Sequence, residues 1–119
     1  MPQAAFLKNK NQLLHFYNDG LFYEAFVIAE KTHMEHPDKR IKTTLWKARI
    51  LCKLNHPEQA ITELQSALSQ NIWWHPNTFV YEPDFQPLFQ FKSFHRFLSA
   101  CEKKWRHDQR TNQAINTDQ

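Results

Sequence analysis

Asn18-Asp19-Gly20-Leu21-Phe22-Tyr23-Glu24-Ala25 breaks one helical pattern and starts another, and its reading decides the fold. Before it, Phe6, Leu7, Leu13, Leu14, Phe16 and Tyr17 recur at helical spacing, which predicts a first helix. Gly20 closes that helix, because glycine enters the left-handed backbone region without a Cβ clash. After it, Phe22, Ala25, Phe26, Ile28 and Ala29 form the apolar face of a second helix. That helix ends before Glu35-His36-Pro37, since proline disfavours helix in the residue preceding it. Two helices joined by so short a break form an antiparallel hairpin.

The same break recurs 35 residues later as Asn55-His56-Pro57-Glu58-Gln59-Ala60. A third helix is expected ahead of it, capped by Asp38, with Ile41, Leu45, Trp46, Ala48, Leu51, Cys52 and Leu54 alternating with Lys39, Arg40, Lys42, Lys47 and Lys53. Pro57, acceptable in a first helical turn, opens a fourth helix carrying Ala60, Ile61, Leu64, Ala67 and Leu68 at spacings of three and four. Residues 71–84 hold Pro76, Pro83 and the adjacent Trp73 and Trp74 without helical period, and are read as an ordered aromatic loop. Phe85 to Phe89 is expected to make one helical turn, and Ser93 to cap a last helix with the stripe Phe94, Phe97, Leu98, Cys101 and Trp105. The polar residues 107–119 are expected to fray.

The hairpin period is close to the tetratricopeptide repeat length of about 34 residues. Gly20, the aromatic Phe22, Ala25 and Pro37 in the first copy, and Ala48, Leu51, Ala60, Leu64 and Ala67 in the second, resemble a degenerate pair of such repeats. Glu82-Pro83-Asp84-Phe85-Gln86-Pro87-Leu88 followed by Phe91, Phe94, Phe97 and Leu98 resembles the end segment of many bacterial tetratricopeptide arrays. The resemblance implies an all-α fold in which antiparallel hairpins stack as a short right-handed solenoid with a C-terminal capping helix. The expected single domain spans residues 1–106, with repeats at 6–37 and 38–70 and the loop and cap at 71–106. The cap would cover the apolar face that the last repeat otherwise exposes.

Composition agrees with a folded helical chain. Of 119 residues, 41% are hydrophobic and 14% aromatic, too many for a disordered segment. Gly20 is the one glycine, which weighs against phosphate-cradling loops and tight strand turns. Two cysteines, Cys52 and Cys101, both inside helical patterns, make neither a disulfide framework nor a thiolate metal site. No leader-like start is seen, and no apolar run nears the roughly 20 residues of a membrane span, so a cytoplasmic setting is expected.

The family commonly binds extended peptides on the face made by the first helix of each hairpin. Lys10, Leu14 and Tyr17 with Lys42, Leu45 and Arg49 map to that face, a cationic groove suited to an acidic protein or peptide partner. A merely solvated charged face is the plainer reading. Leu14 and Trp46 stand where the carboxylate clamp of chaperone-binding members needs polar groups, which argues against that role. Of the loop aromatics, Trp74 is expected to be exposed as an interface anchor while Trp73 packs inward. His33 and His36 share the i, i+3 spacing of metal ligands, but nothing nearby completes a set, and no catalytic motif occurs, so no metal, cofactor or enzymatic role is expected. A net charge of +3, with Lys92, Arg96, Lys103, Lys104 and Arg106 in the cap, leaves nucleic-acid binding as the alternative. Self-association through the first helix is a third reading.

Overall fold

The computed structural model describes residues 2–117, with side chains from Gln3 to Gln109. Every element among them is helical: α1 (Pro2–Asn18), α2 (Phe22–Glu35), a 3-10 turn (Pro37–Lys39), α3 (Arg40–Lys53), α4 (Pro57–Ser69), a single turn α5 (Asn77–Val80), a 3-10 segment (Pro83–Gln90) and α6 (Lys92–Thr117). Helix α1 packs on α2, α2 on α3 and α3 on α4, and the 3-10 segment and α6 then close over the second hairpin.

The turns repeat in atomic detail. At the end of α1 the Leu21 amide donates to the Phe16 carbonyl at 2.8 Å and the Gly20 amide to Tyr17 at 3.1 Å. At the end of α3, His56 donates to Leu51 at 2.8 Å and Asn55 to Cys52 at 3.1 Å. Both are Schellman turns, in which a residue at positive φ lets two amides satisfy carbonyls that the helix end leaves open. Gly20 has φ 77° and Asn55 φ 66°. Helix α4 ends the same way through Asn71 at φ 65°, with Ile72 donating to Ala67 at 2.9 Å. Asparagine serves because its short side chain tolerates the left-handed region better than branched or bulky residues do.

Small residues set the helix spacing. Ala25, Ala29, Ala48 and Ala60 are fully buried where helices cross, and their lack of bulk lets backbones approach while Leu13, Ile50 and Leu64 fill the gaps. The larger core lies between α3, α4 and the C-terminal segment. There Phe79, Phe85, Leu88, Phe94, Phe97 and Cys101 pack against Leu51, Ala60 and Leu64. Phe79 is its hub, with ring centroids of Phe85, Phe94 and Phe97 at 5.1, 5.5 and 5.6 Å in edge-to-face arrangements that suit the aromatic quadrupole.

Three expectations need correction. Asp38 does not cap α3: it lies in the 3-10 turn, and the residue preceding α3, Lys39, makes no side-chain cap. Lys47 is not on a solvated stripe but 5% exposed, with Glu63 at 3.0 Å and Glu30 at 3.9 Å, because α2 and α4 flank α3 and each offers a carboxylate. Helix α6 does not stop near Arg106 but runs to Thr117. No glycine or proline follows Pro87, and once a helix is nucleated each further residue adds a hydrogen bond. Trp105 anchors its middle by an edge contact with His75 at 4.8 Å. Residues 118 and 119 of the expected tail lie outside the described residues.

A Cβ built on Gly20 meets nothing within 4 Å, so a substitution there tests backbone conformation alone. Gly20→Ala should destabilise the fold by about 1 kcal/mol in urea unfolding, and Gly20→Asn by clearly less. Equal losses for the two would contradict the turn as described.

Candidate functional site

Helices α1 and α3 leave an open cleft of ≈ 360 Å³ between them. From α1 it takes Lys10, Leu13, Leu14, Tyr17 and Asn18; from α3 it takes Trp46, Arg49 and Ile50. These positions follow helical spacing on each side, which is why residues three and four apart arrive on one wall. Leu14 is 42% exposed, an apolar surface with nothing covering it. Trp46 is held by stacking on Phe6, with centroids 5.2 Å apart and planes at 20°.

One end of the cleft is closed by the chain itself. The Tyr17 hydroxyl donates to the Asp84 carboxylate. Lys53 Nζ lies 3.1 Å from the other Asp84 oxygen, and Arg49 lies 3.8 Å from Asp84 and 3.5 Å from Glu82. The Arg49 guanidinium also sits 5.4 Å over the Phe85 ring. Burial alone would raise the Asp84 pKa, but the hydrogen bonds from Tyr17 and Lys53 and the nearby cations outweigh it and hold the carboxyl below its ordinary value. Burial, and then the Asp84 bond, push the Tyr17 phenol well above its usual range. The cationic charge of Arg49 is thus matched internally, whereas Lys10 has no ion-pair partner among the described residues.

Four of the residues singled out from sequence, Lys10, Leu14, Tyr17 and Arg49, come together here. Lys42 is exposed on α3 outside the cleft lining, and Leu45 is half-buried against the main core. Trp74 reverses its expected role. It is 6% exposed, its ring meets Phe79 and Phe97, and its Nε1 donates to the Ile41 carbonyl at 3.2 Å, while Trp73 is the half-buried member of the pair. An indole spanning α3 and α6 with its N–H satisfied is the cheaper arrangement, because the core takes the large ring and α3 takes the donor. Trp46, expected on this face from its place beside Leu14, lines the cleft as well, whereas Leu13, Asn18 and Ile50 were not expected there. The sequence reading also did not pair Glu82 and Asp84 with Arg49. The acidic turn facing a basic helix was a visible signal, but nothing local set which residues would meet.

His33 and His36, although three residues apart on one helix end, do not converge on a common point. His33 Nδ1 contacts the Thr43 hydroxyl at 2.8 Å, while the His36 ring lies edge-on to Phe6 at 5.7 Å, so the two rings have separate environments. Among the described residues no group of three or more His, Cys, Asp and Glu side chains is arranged to hold a metal ion. Burial pushes the Cys52 thiol up to about 11, with Asp84 adding to the shift, and burial also raises Cys101. Both should resist a thiol-specific reagent at neutral pH in the native protein and react fully once it is unfolded. Rapid native labelling of either would show that its helix opens.

Because the folded Asp84 pKa is depressed, its contribution to stability is complete above the ordinary carboxylate range and disappears as pH falls through the folded value. Asp84→Asn should cost about 1–3 kcal/mol at neutral pH. Thermal melts of the variant and the wild type should converge in acid; a gap independent of pH would mean that the charge of Asp84 is not what its neighbours recognise. The chain matched none of the family models, curated proteins or solved structures with which it was compared.

Proposed function

We propose that this chain is a non-catalytic adaptor, two degenerate tetratricopeptide-like hairpins closed by a cap, that binds an extended segment of a partner protein in the α1–α3 cleft. The observation that carries the reading is the pairing of an uncovered apolar wall, Leu14 and Trp46, with an unpaired cation, Lys10, and a polar residue, Asn18, in one open groove. An extended peptide with a large apolar side chain next to an acidic residue matches that pattern. Support for the repeat reading comes from the 35-residue shift that aligns Gly20 with Asn55 and Ala25 with Ala60, together with their shared turn geometry. A cytoplasmic setting and a bacterial source belong to the same reading.

Lys92, Arg96 and Lys103 fall on one exposed face of α6, which keeps a nucleic-acid surface as the second reading. Part of that basic set is already engaged, since Arg106 bonds Glu102 at 2.8 Å and Lys104 bonds Asn71 at 2.9 Å.

Selection of peptides from a random display library should enrich sequences with Asp or Glu beside a large apolar residue. Lys10→Glu should weaken the selected peptides about tenfold, and Leu14→Asp should do the same, both without loss of thermal stability. Arg49 is unsuitable for this test because it also holds the cap. Selected peptides that lack acidic residues or bind both variants normally would defeat the placement of the site. Nuclease-sensitive material retained equally by all three proteins would favour the second reading.

A further inference from the structure

Away from the cleft, a smaller pocket opens between the end of α2, the first turn of α3 and the C-terminal half of α4. Its volume is ≈ 190 Å³, room for about six waters at ~30 Å³ each, and its wall is largely polar: His33, Arg40, Thr44, Glu63, Ser66 and Gln70.

The charges in this wall are not evenly satisfied. Glu63 lies 3.0 Å from Lys47 Nζ, so its negative charge is already matched by a buried cation. Arg40 has no ion-pair partner among the described residues, and its Nε is buried without a hydrogen-bond partner. A buried charged donor left unmade carries its full desolvation cost. Arg40 is also the first residue of α3, where the positive end of the helix reinforces attraction for an anion.

Other groups of the lining offer acceptors. The Thr43 hydroxyl has one proton, which it donates to the Lys39 carbonyl at 3.3 Å. With the Thr43 proton on the Lys39 carbonyl, His33 Nδ1 is the donor in its 2.8 Å contact with Thr43 and Nε2 is an acceptor. Burial first, then Lys47 and Arg40, hold the ring's pKa below its ordinary value, so it is neutral at pH 7. A guanidinium without an ion-pair partner, a neutral imidazole and a carboxylate lining one pocket suit a ligand with an anionic end and a donor beside it. A bare tetrahedral oxyanion would satisfy Arg40 but would face Glu63 and the imidazole lone pair unfavourably.

We propose that this pocket binds a small organic acid with a hydrogen-bond donor on the carbon next to its carboxylate, a 2-hydroxy or 2-amino acid. The carboxylate accepts from Arg40, and the 2-substituent donates to His33 Nε2 or Glu63. The site is separate from the cleft, and its occupancy does not depend on the adaptor reading.

The test is titration of the full-length, 15N-labelled chain with L-lactate, L-alanine, acetate and inorganic phosphate. The readouts are the Arg40 Nε–Hε resonance and the Ser66 and Gln70 amides. L-lactate or L-alanine should move all three with saturation in the millimolar range, leaving the Lys10 and Leu14 amides unmoved. Acetate, which lacks the donor, should bind about tenfold more weakly. Arg40→Gln should abolish the response while the rest of the spectrum is preserved. Gln70→Glu, at an exposed rim position that folding does not depend on, should weaken it about tenfold by repelling the carboxylate. Phosphate binding more tightly than either acid, acetate binding equally well, or no movement of the Arg40 resonance with any probe would each overturn the proposal.

Discussion

Desolvation of four phenylalanines over the second hairpin is the interaction on which the rest of the structure depends. Phe79, Phe85, Phe94 and Phe97 are almost wholly buried, and they cover Leu51, Ala60 and Leu64, which α3 and α4 alone would leave facing water. Burying a phenylalanine is worth roughly 2–3 kcal/mol. Four of them together rival the net stability of about 5–15 kcal/mol expected of a whole domain. The C-terminal segment is therefore part of the folding unit. The cleft between α1 and α3 is coupled to that packing, because the helix whose Trp46, Arg49 and Ile50 line it also carries Ala48, Leu51 and Cys52 into the core the phenylalanines cover.

Two sets of charges then fix the alignment that apolar contacts leave loose. Lys47 joins α3 to α2 and α4 through Glu30 and Glu63, and the Tyr17–Asp84–Lys53 set ties α1 and α3 to the 3-10 segment. Ion pairs withdrawn from water add little net stability, since desolvation offsets much of the attraction. Their value lies in specificity: a helix rotated by one residue would leave a charge unmatched. Such a slip would cost more than the pair contributes when formed.

What could be read from sequence was mostly local. The Gly20 and Asn55 turns, the Pro57 helix start and the phenylalanine stripe of α6 each follow from a few neighbouring residues, and each occurs at or within a residue or two of its expected place. On the candidate site, Lys10, Leu14, Tyr17 and Arg49 were recoverable because helical spacing carries side-chain direction with it. The errors arose where periodicity gives no direction or where long-range partners decide. Trp73 and Trp74 are adjacent in a segment without period, so nothing local said which would turn inward. The bond from Tyr17 to Asp84 spans 67 positions. The burial of Lys47 needed two carboxylates from two other helices to arrive together.

Trp46 and Trp74 occupy unlike surroundings, one stacked on Phe6 at the lining of the open cleft, the other enclosed with its N–H bonded to a carbonyl. Indole emission depends on the polarity and hydrogen bonding around the ring, so the two side chains respond to different events. Light from the first changes when something enters the groove; light from the second changes when the cap lifts from α3. The chain thus carries intrinsic optical probes for occupancy and for unfolding, and the difference in emission between the wild type and each indole-to-phenylalanine variant isolates that ring's share from the background of Trp73 and Trp105.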